Sequence, residues 1–553
     1  MWSIPIIGII SDMFKRFFTR KQTSILSAAF AIAAMVFTSR VLGLVRNRLL
    51  TSHFTPDEID LYFAALRIPN FLYEILIAGA ITVAFIPVFT SYLSQKKQEE
   101  AFTIAAIILN IAGIIVSIAV AILIPLTPLV LRVIVPGFTD AQIAETVYYT
   151  RIVLVLQVLP LVIGNIITGI LQSFKRFLIP AMAPVVYNIG SIFGIVVLTP
   201  AWGLSGAIYG IGLGAVLFLI IQLPLLATVA YHHRFIVSLQ HKGLWRLVRL
   251  MLPRTFVVGA SQVDATIDFM LASLIGPGSI TVFAFAQQLQ LLPIGLFGLP
   301  IAQAALPTLS EYAAEGKIQA FKDSILTSLH QILFFVFPAS AMLIVLQIPI
   351  VRLFYGADQF DWPVTVMTGR TIMYFSFSLF AQSMILLFSR AFFALQDSRT
   401  PVIVAVGSIV LNSLLSLLFV MWLRLDVWSL GLSTSISSII HAFALLYVLD
   451  KKVHAFDRTR LFLPFIKIMT ATAIMAIFIR IPVKLLDTLV FDTTRTFSLL
   501  VLTGIASCIG LATYIFFAWF FNIKEVLLFM VFARKLTKVK DILFEPSREV
   551  GGE

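Results

Sequence analysis

An all-α polytopic membrane protein of about fourteen transmembrane helices is the architecture encoded in this chain, and three features argue for it. Hydrophobic residues make up 59% of the 553 and charged residues only 12%, against roughly 25% charged in a soluble globular protein. The apolar residues gather into runs that reach the length of a bilayer crossing, about 20 residues for a helix. The segments between the runs alternate in charge.

By that length, spans are expected at roughly 24–50, 60–93, 102–133, 145–172, 180–200, 203–230, 250–275, 279–309, 325–355, 364–395, 401–423, 427–449, 461–482 and 496–521. The connectors SQKKQEE, SFKRF, YHHRFIVSLQHKGLWRLVR, EGKIQAFK, QDSRT and DKKVHAFDRTR, with the tail ARKLTKVKDI, hold most of the Lys and Arg. The intervening set, HFTPDEID, PGFTDAQIAE, TPAWG, GPGS and YGADQFDW, is acidic or neutral; only RIPVKLLDTLVFDTTRT, before the last span, is mixed. Lys and Arg concentrate on the cytoplasmic side of membrane proteins, so both termini are expected there and the number of spans is even. A single missed span would scramble this alternation.

The net charge of +13 resides in those short connectors, which points to the membrane surface and not to nucleic acid. The single cysteine, Cys508, sits in an apolar run and is expected to be buried; it provides neither a disulfide framework nor a cysteine metal site. Residues 1–22 carry hydrophobics ahead of Lys15, Arg16, Arg20 and Lys21, the reverse of a cleavable signal. They read as an interfacial amphipathic helix on the cytoplasmic face.

An internal repeat organises the rest. FIPVFTSYLSQKKQEEAF aligns with ALPTLSEYAAEGKIQAF, pairing Pro87 with Pro307, and VLRVIVPGF aligns with IVRLFYGADQF, pairing Gly137 with Gly356. GILQSFKRFLIPAMAP aligns with AFFALQDSRTPVIVAV, pairing Pro180 with Pro401, and WGLSGAIYG with LGLSTSISS, pairing Gly203 with Gly431. Ordered matches at a nearly constant offset mark a duplication. Six spans per copy is an even number, so the copies share one orientation and are related by an axis along the membrane normal, a recurrent transporter arrangement. The expected domains are the interfacial helix (1–22), an N-terminal lobe of spans 1–6 (23–231), a basic cytoplasmic connector (232–248), a C-terminal lobe of spans 7–12 (249–450), spans 13–14 (451–521) and a basic cytoplasmic tail (522–553). Two such lobes would enclose a cavity; the alternative is a duplicated scaffold.

Charges at membrane depth need partners or a function. In span 7, Asp264 and Asp268 stand four residues apart and share a helix face. They could hold a monovalent cation or a proton for coupling, or pair with Arg254 of the same span. In span 2, Glu74 follows Arg67 by seven residues, nearly two turns, which places both on one face. Asp60 and Glu74 suit either gating or a structural ion pair with an arginine of span 1. No Walker glycine loop and no His-Glu-x-x-His motif occurs, so no cofactor is expected, and energy would come from a monovalent cation gradient or the membrane potential.

The motifs SRVLGLVRNRLL (39–50), Asp60 with Arg67-Ile-Pro-Asn70 leading to AGAITVAFIPV, FKRFLIPAMAP, ALPTLSEYA and FFALQDSRTPV are spread over spans 1–12. In these the chain resembles the MurJ (MviN) family, the lipid II flippase branch of the multidrug/oligosaccharidyl-lipid/polysaccharide exporter superfamily. The resemblance implies fourteen spans and movement of an undecaprenyl-pyrophosphate-linked peptidoglycan precursor between leaflets of the bacterial cytoplasmic membrane by alternating access. It also implies membrane lipids, and other cell-envelope synthesis proteins, as partners. Arg40, Arg46 and Arg67 match the family's basic positions; a guanidinium suits a diphosphate because it binds oxygens bidentately and stays charged. Arg48, nearer the outer interface, is read as an anchor to lipid phosphates.

Departures from the family pattern are specific. Tyr73 and Glu74 stand where a basic pair is common, Ala78 where an acid is usual, and Asn47 where an Asp commonly follows the second arginine. Gln287 and Gln288 replace an Asp-Arg pair, and Leu291 a Glu. The expected substrate contacts are therefore Arg40, Arg46, Arg67, Asp60 and Gln288, with Asp264 and Asp268 as the ion-coupling pair. The alternatives are a cation-coupled exporter of another lipid-linked glycan or amphipathic small molecule, and a non-transporting cell-envelope scaffold.

Overall fold

The computed structural model of the chain describes residues 25–77, 84–489 and 496–527, and among these there is no β-strand. The expected interfacial helix over 1–22 and the tail beyond residue 527 lie outside the described residues. The helices, in chain order, are α1 (Ile25–His53), α2 (Pro56–Ile77), α3 (Ile86–Ser94) and α4 (Gln98–Ile134). They continue with α5 (Asp140–Ser173), α6 (Leu178–Trp202), α7 (Leu204–Thr228), α8 (Lys242–Ile275) and α9 (Ser279–Ala314). Then come α10 (Ile318–Val345), α11 (Gln347–Tyr355), α12 (Trp362–Ser376), α13 (Leu379–Ala394), α14 (Arg399–Trp422), α15 (Trp428–Lys452), α16 (Arg458–Leu489) and α17 (Thr496–Phe520).

Each of the fourteen expected spans coincides with a helix or a pair of helices. Eleven described helices are long and apolar enough to cross a membrane, or twelve when α12 and α13, bent by 41°, are taken as one span. The count of fourteen is not reached on those two criteria. Helix α2 carries Asp57, Glu58, Asp60, Arg67 and Glu74 within 22 residues, and in α1 the side chains of residues 25–31 lie outside the described set.

The described chain packs as two compact units. The first comprises residues up to Phe285 with Phe354–Thr368 and Ser413–Leu430; the second comprises Ala286–Leu353, Gly369–Asn412 and the chain from Gly431 onward. Helix α8, expected to open the C-terminal lobe, is thus part of the first unit together with spans 1–6.

Within the first unit, glycines at four-residue spacing bring α6 and α7 into backbone contact. A Cβ on Gly190 would sit 2.5 Å from the Gly214 Cα, and one on Gly194 would sit 2.3 Å from the Gly210 Cα. Lipid tails give no hydrophobic drive for helix pairing, so small residues that permit close packing are how membrane helices associate. Asn188, on the same stretch of α6, donates from Nδ2 to the Ser39 carbonyl (3.2 Å) and hydroxyl (3.1 Å), tying α1 to this pair. A one-turn π bulge at Gly194–Leu198 in span 5 recurs at Leu418–Trp422 in span 11, where the internal repeat aligns them.

Aromatic packing organises the second unit. Phe337 stacks on Phe380 with centroids 5.1 Å apart and meets Phe465 edge-on at 5.3 Å. The Tyr514 hydroxyl donates to the Phe334 carbonyl at 2.7 Å, fastening α17 to α10. Cys508, expected to be buried, is exposed. A span that faces lipid presents apolar residues outward, so an apolar run does not distinguish a core cysteine from a lipid-facing one.

Candidate functional site

The first unit holds a cavity of about 560 Å³ among α2, α5, α6, α7 and α8. Helix α2 supplies Arg67, Asn70, Tyr73 and Glu74, and Pro69 between them has no N–H for the Ala65 carbonyl one turn earlier. Helix α5 adds Gln157 and Asn165, α6 adds Tyr187, α7 adds Phe218 and α8 adds Gln262. The polar lining is therefore one cation, one carboxylate, amides, phenols and the Thr168 hydroxyl.

Arg67 is its electrostatic centre. Its Nη2 donates to the Gln262 carbonyl (3.0 Å) and to the Thr266 hydroxyl (2.8 Å), which fixes the guanidinium against α8. The group lies over the Phe269 ring at 5.8 Å and within electrostatic reach of the buried Asp268. Its Nε is buried with no hydrogen-bond partner. A buried charged donor without an acceptor is costly. Two turns further on, Glu74 lines the same cavity, as the seven-residue spacing predicts, and forms no ion pair within 4 Å among the described side chains. The Arg254 side chain, the alternative partner for the acids of span 7, lies outside the described set.

The neutral lining is cross-linked. Asn165 Nδ2 donates to the Tyr73 hydroxyl at 2.9 Å, and Gln157 Nε2 donates to Asn70 Oδ1 at 3.2 Å. Thr168 donates to Gln222 Oε1 at 2.8 Å. Sequence reasoning weighed formal charges and passed over Gln157, Asn165 and Gln262. The signal that could have found them is an amide in the middle of an apolar span, which needs a partner or a ligand there.

The other expected site residues separate. Asp60 is 2% exposed and its carboxylate is spent inside the protein. It accepts from the Gly278 N–H, the Thr281 N–H and the Thr281 hydroxyl, each at 2.7 Å. Asp60, expected to contact substrate, is not in the cavity lining, and its carboxylate instead caps the turn that opens α9. Arg46 does not line the cavity. Its Nε and Nη2 donate to Asn47 Oδ1 at 3.3 and 3.2 Å, and it stands within electrostatic reach of Tyr187, which does line it. Arg40 is exposed and is absent from the lining. Gln288 is half-buried in the second unit. Asp264 and Asp268 accept from Ser413 (3.3 Å) and Ser416 (2.8 Å) respectively, so the pair faces serines. No group of three or more His, Cys, Asp or Glu side chains suited to a metal ion occurs among the described residues.

Comparison with known proteins adds the family. The family model described as lipid II flippase MurJ matches residues 55–502. The chain is 27% identical over 469 residues to the probable lipid II flippase MurJ of Bdellovibrio bacteriovorus, covering 82% of this chain and 88% of that protein. It is 24% identical over 404 residues to the lipid II flippase MurJ of Burkholderia cenocepacia, covering 71% and 78%. Among solved structures, a lipid II flippase MurJ in an inward closed conformation superposes with a TM-score of 0.74 at 25% identity, over 90% of this chain and 99% of that one. A multidrug resistance MATE family transporter of the MOP superfamily, in an inward-facing conformation, shares the fold at a TM-score of 0.64 and 18% identity, over 75% and 94%. With a match that spans most of its length, this multi-pass membrane chain belongs to the lipid II flippase MurJ family of transporters.

Proposed function

We propose that this protein is a flippase that carries lipid II, or a close lipid-linked peptidoglycan precursor, from the inner to the outer leaflet of the cytoplasmic membrane by alternating access. The observation that carries the reading is Arg67, a guanidinium anchored by Gln262 and Thr266 whose buried Nε faces no acceptor beside a cavity of about 560 Å³. The diphosphate binds at that guanidinium, the amides and phenols receive the sugar-peptide head, and Arg46 adds positive potential from behind Tyr187. Arg40 and Gln288 meet the substrate at another stage of the cycle, when the lobes of spans 1–6 and 7–12 exchange access. Both termini lie in the cytoplasm, in keeping with the distribution of Lys and Arg. A monovalent cation at Asp264 and Asp268, or the membrane potential, supplies the energy, and other cell-envelope synthesis proteins work alongside.

The test is to deplete a host bacterium of its own lipid II flippase and supply this gene. Growth is expected to be restored by the wild-type protein and lost with Arg67→Ala inserted at equal level. Failure of correctly inserted wild-type protein to rescue, together with no lipid II binding in detergent, would refute the reading.

A further inference from the structure

The cavity of the first unit holds two opposite charges at a fixed spacing. Glu74 follows Arg67 by seven residues on α2 and lines the same cavity, so the charges share a helix face about 10 Å apart along its axis. For a diphosphate alone, Glu74 is a repulsion. For a ligand with an anion at one end and a cation at the other, the spacing is complementary.

The groups that line the cavity with Glu74 suit a cation. Asn165 gives its amide hydrogens to the Tyr73 hydroxyl (2.9 Å) and the Leu161 carbonyl (2.8 Å), which leaves Oδ1 as an acceptor. Thr168 gives its hydroxyl hydrogen to Gln222 Oε1 at 2.8 Å, so its oxygen can only accept. Gln157 is 3% exposed, donates from Nε2 to Asn70, and keeps a buried Oε1 with no hydrogen-bond partner. An unspent buried acceptor is a cost that a donor removes. Tyr73 and Tyr187 pack against the apolar cluster that includes Phe218, and all three line the cavity; aromatic rings attract a cation to their faces. Among the described side chains Glu74 has no ion-pair partner, and Arg67 is the one cation in the lining. A primary ammonium brings three donors and no acceptor, the complement of this set.

We propose that Glu74 is the subsite for a primary ammonium on the peptide arm of the lipid-linked precursor, held there while the diphosphate sits on Arg67. The inference rests on the flippase reading and adds to it a charge that the head must carry. The peptide can bridge the two groups, since three extended residues span about 10 Å.

Full-length protein in detergent, titrated with two lipid II preparations, tests this. In one the peptide carries a free side-chain amine; in the other that amine is acetylated, which removes the charge. Wild type is expected to bind the free-amine form about tenfold more tightly, the scale of one hydrogen bond to a charged group. Glu74→Gln is expected to bind the two forms equally, and Glu74→Asp, which keeps the charge, to retain the preference. Equal binding by wild type, or an undiminished preference in Glu74→Gln, would overturn the ammonium subsite while leaving the diphosphate contact at Arg67 standing. Equal binding accompanied by a sodium dependence that Glu74→Gln removes would reassign Glu74 to an inorganic cation. Wild type that binds neither form would instead refute the flippase reading, and this inference with it.

Discussion

Replacing Asp60 with Ala separates a folding role from a substrate role at one residue. The carboxylate accepts from two buried backbone N–H groups, those of Gly278 and Thr281, at 2.7 Å each. Without it both donors are orphaned, at about 1–3 kcal/mol apiece, so the loss is about 2–6 kcal/mol. The Thr281 hydroxyl adds little, since it can turn fully to the Pro56 carbonyl at 2.9 Å. Asp60→Asn keeps one acceptor oxygen and is expected to fall between wild type and Asp60→Ala. The assay is heating followed by fluorescence-detected size exclusion, with lipid II binding measured well below the melting point. Asp60→Ala is expected to melt earlier while its folded fraction binds lipid II like wild type. A variant that melts like wild type yet no longer binds would refute the cap and restore Asp60 as a substrate contact.

Gly194→Val is expected to destabilise the first unit by about 3 kcal/mol or more, the upper end for overpacking, because the new Cβ would meet the Gly210 Cα at 2.3 Å; the same thermal assay reads it, and an unchanged melting curve would contradict the α6–α7 contact. Asp397, in the connector before α14, is opposed by burial, but hydrogen bonds from Lys452 (2.6 Å) and Thr400 outweigh it and hold the carboxyl below its ordinary value. A carboxyl lowered on folding contributes stability in full above the unfolded value of about 3.9 and loses it as pH falls toward the folded one. Asp397→Asn should therefore be less stable than wild type at neutral pH and converge with it in strong acid; a constant gap across the acid range would refute this. Asp264→Asn with Asp268→Asn is expected to abolish the ion dependence of translocation in proteoliposomes while leaving Arg67-dependent binding intact. Unchanged ion dependence would remove the coupling role.

Periodicity and charge made most of the architecture legible. A bilayer demands long apolar helices with every backbone group satisfied internally, so composition and run length announce the spans, and motifs spread over spans 1–12 together carried the family. The long apolar runs were readable in this way, whereas α12 and α13, like α10 and α11, read as one run, because a break such as the 41° bend between α12 and α13 leaves no mark on hydropathy. The candidate site was legible only in part. Arg67 could be singled out from its motif, and Glu74 followed by helical spacing.

What the sequence by itself determined is therefore the class of molecule, the approximate span positions and the face that Arg67 and Glu74 share, because these depend on local composition and on residues within two turns of one another. Only the tertiary structure decided which charge serves which purpose. Asp60 and Arg67 lie seven residues apart in α2, yet one is closed off by backbone donors from Gly278 and Thr281 and the other opens onto a cavity through Gln262 and Thr266. Those partners lie about 200 residues away along the chain. A carboxylate or guanidinium in an apolar helix is defined by the donors and acceptors that desolvation forces upon it, and these are set by packing.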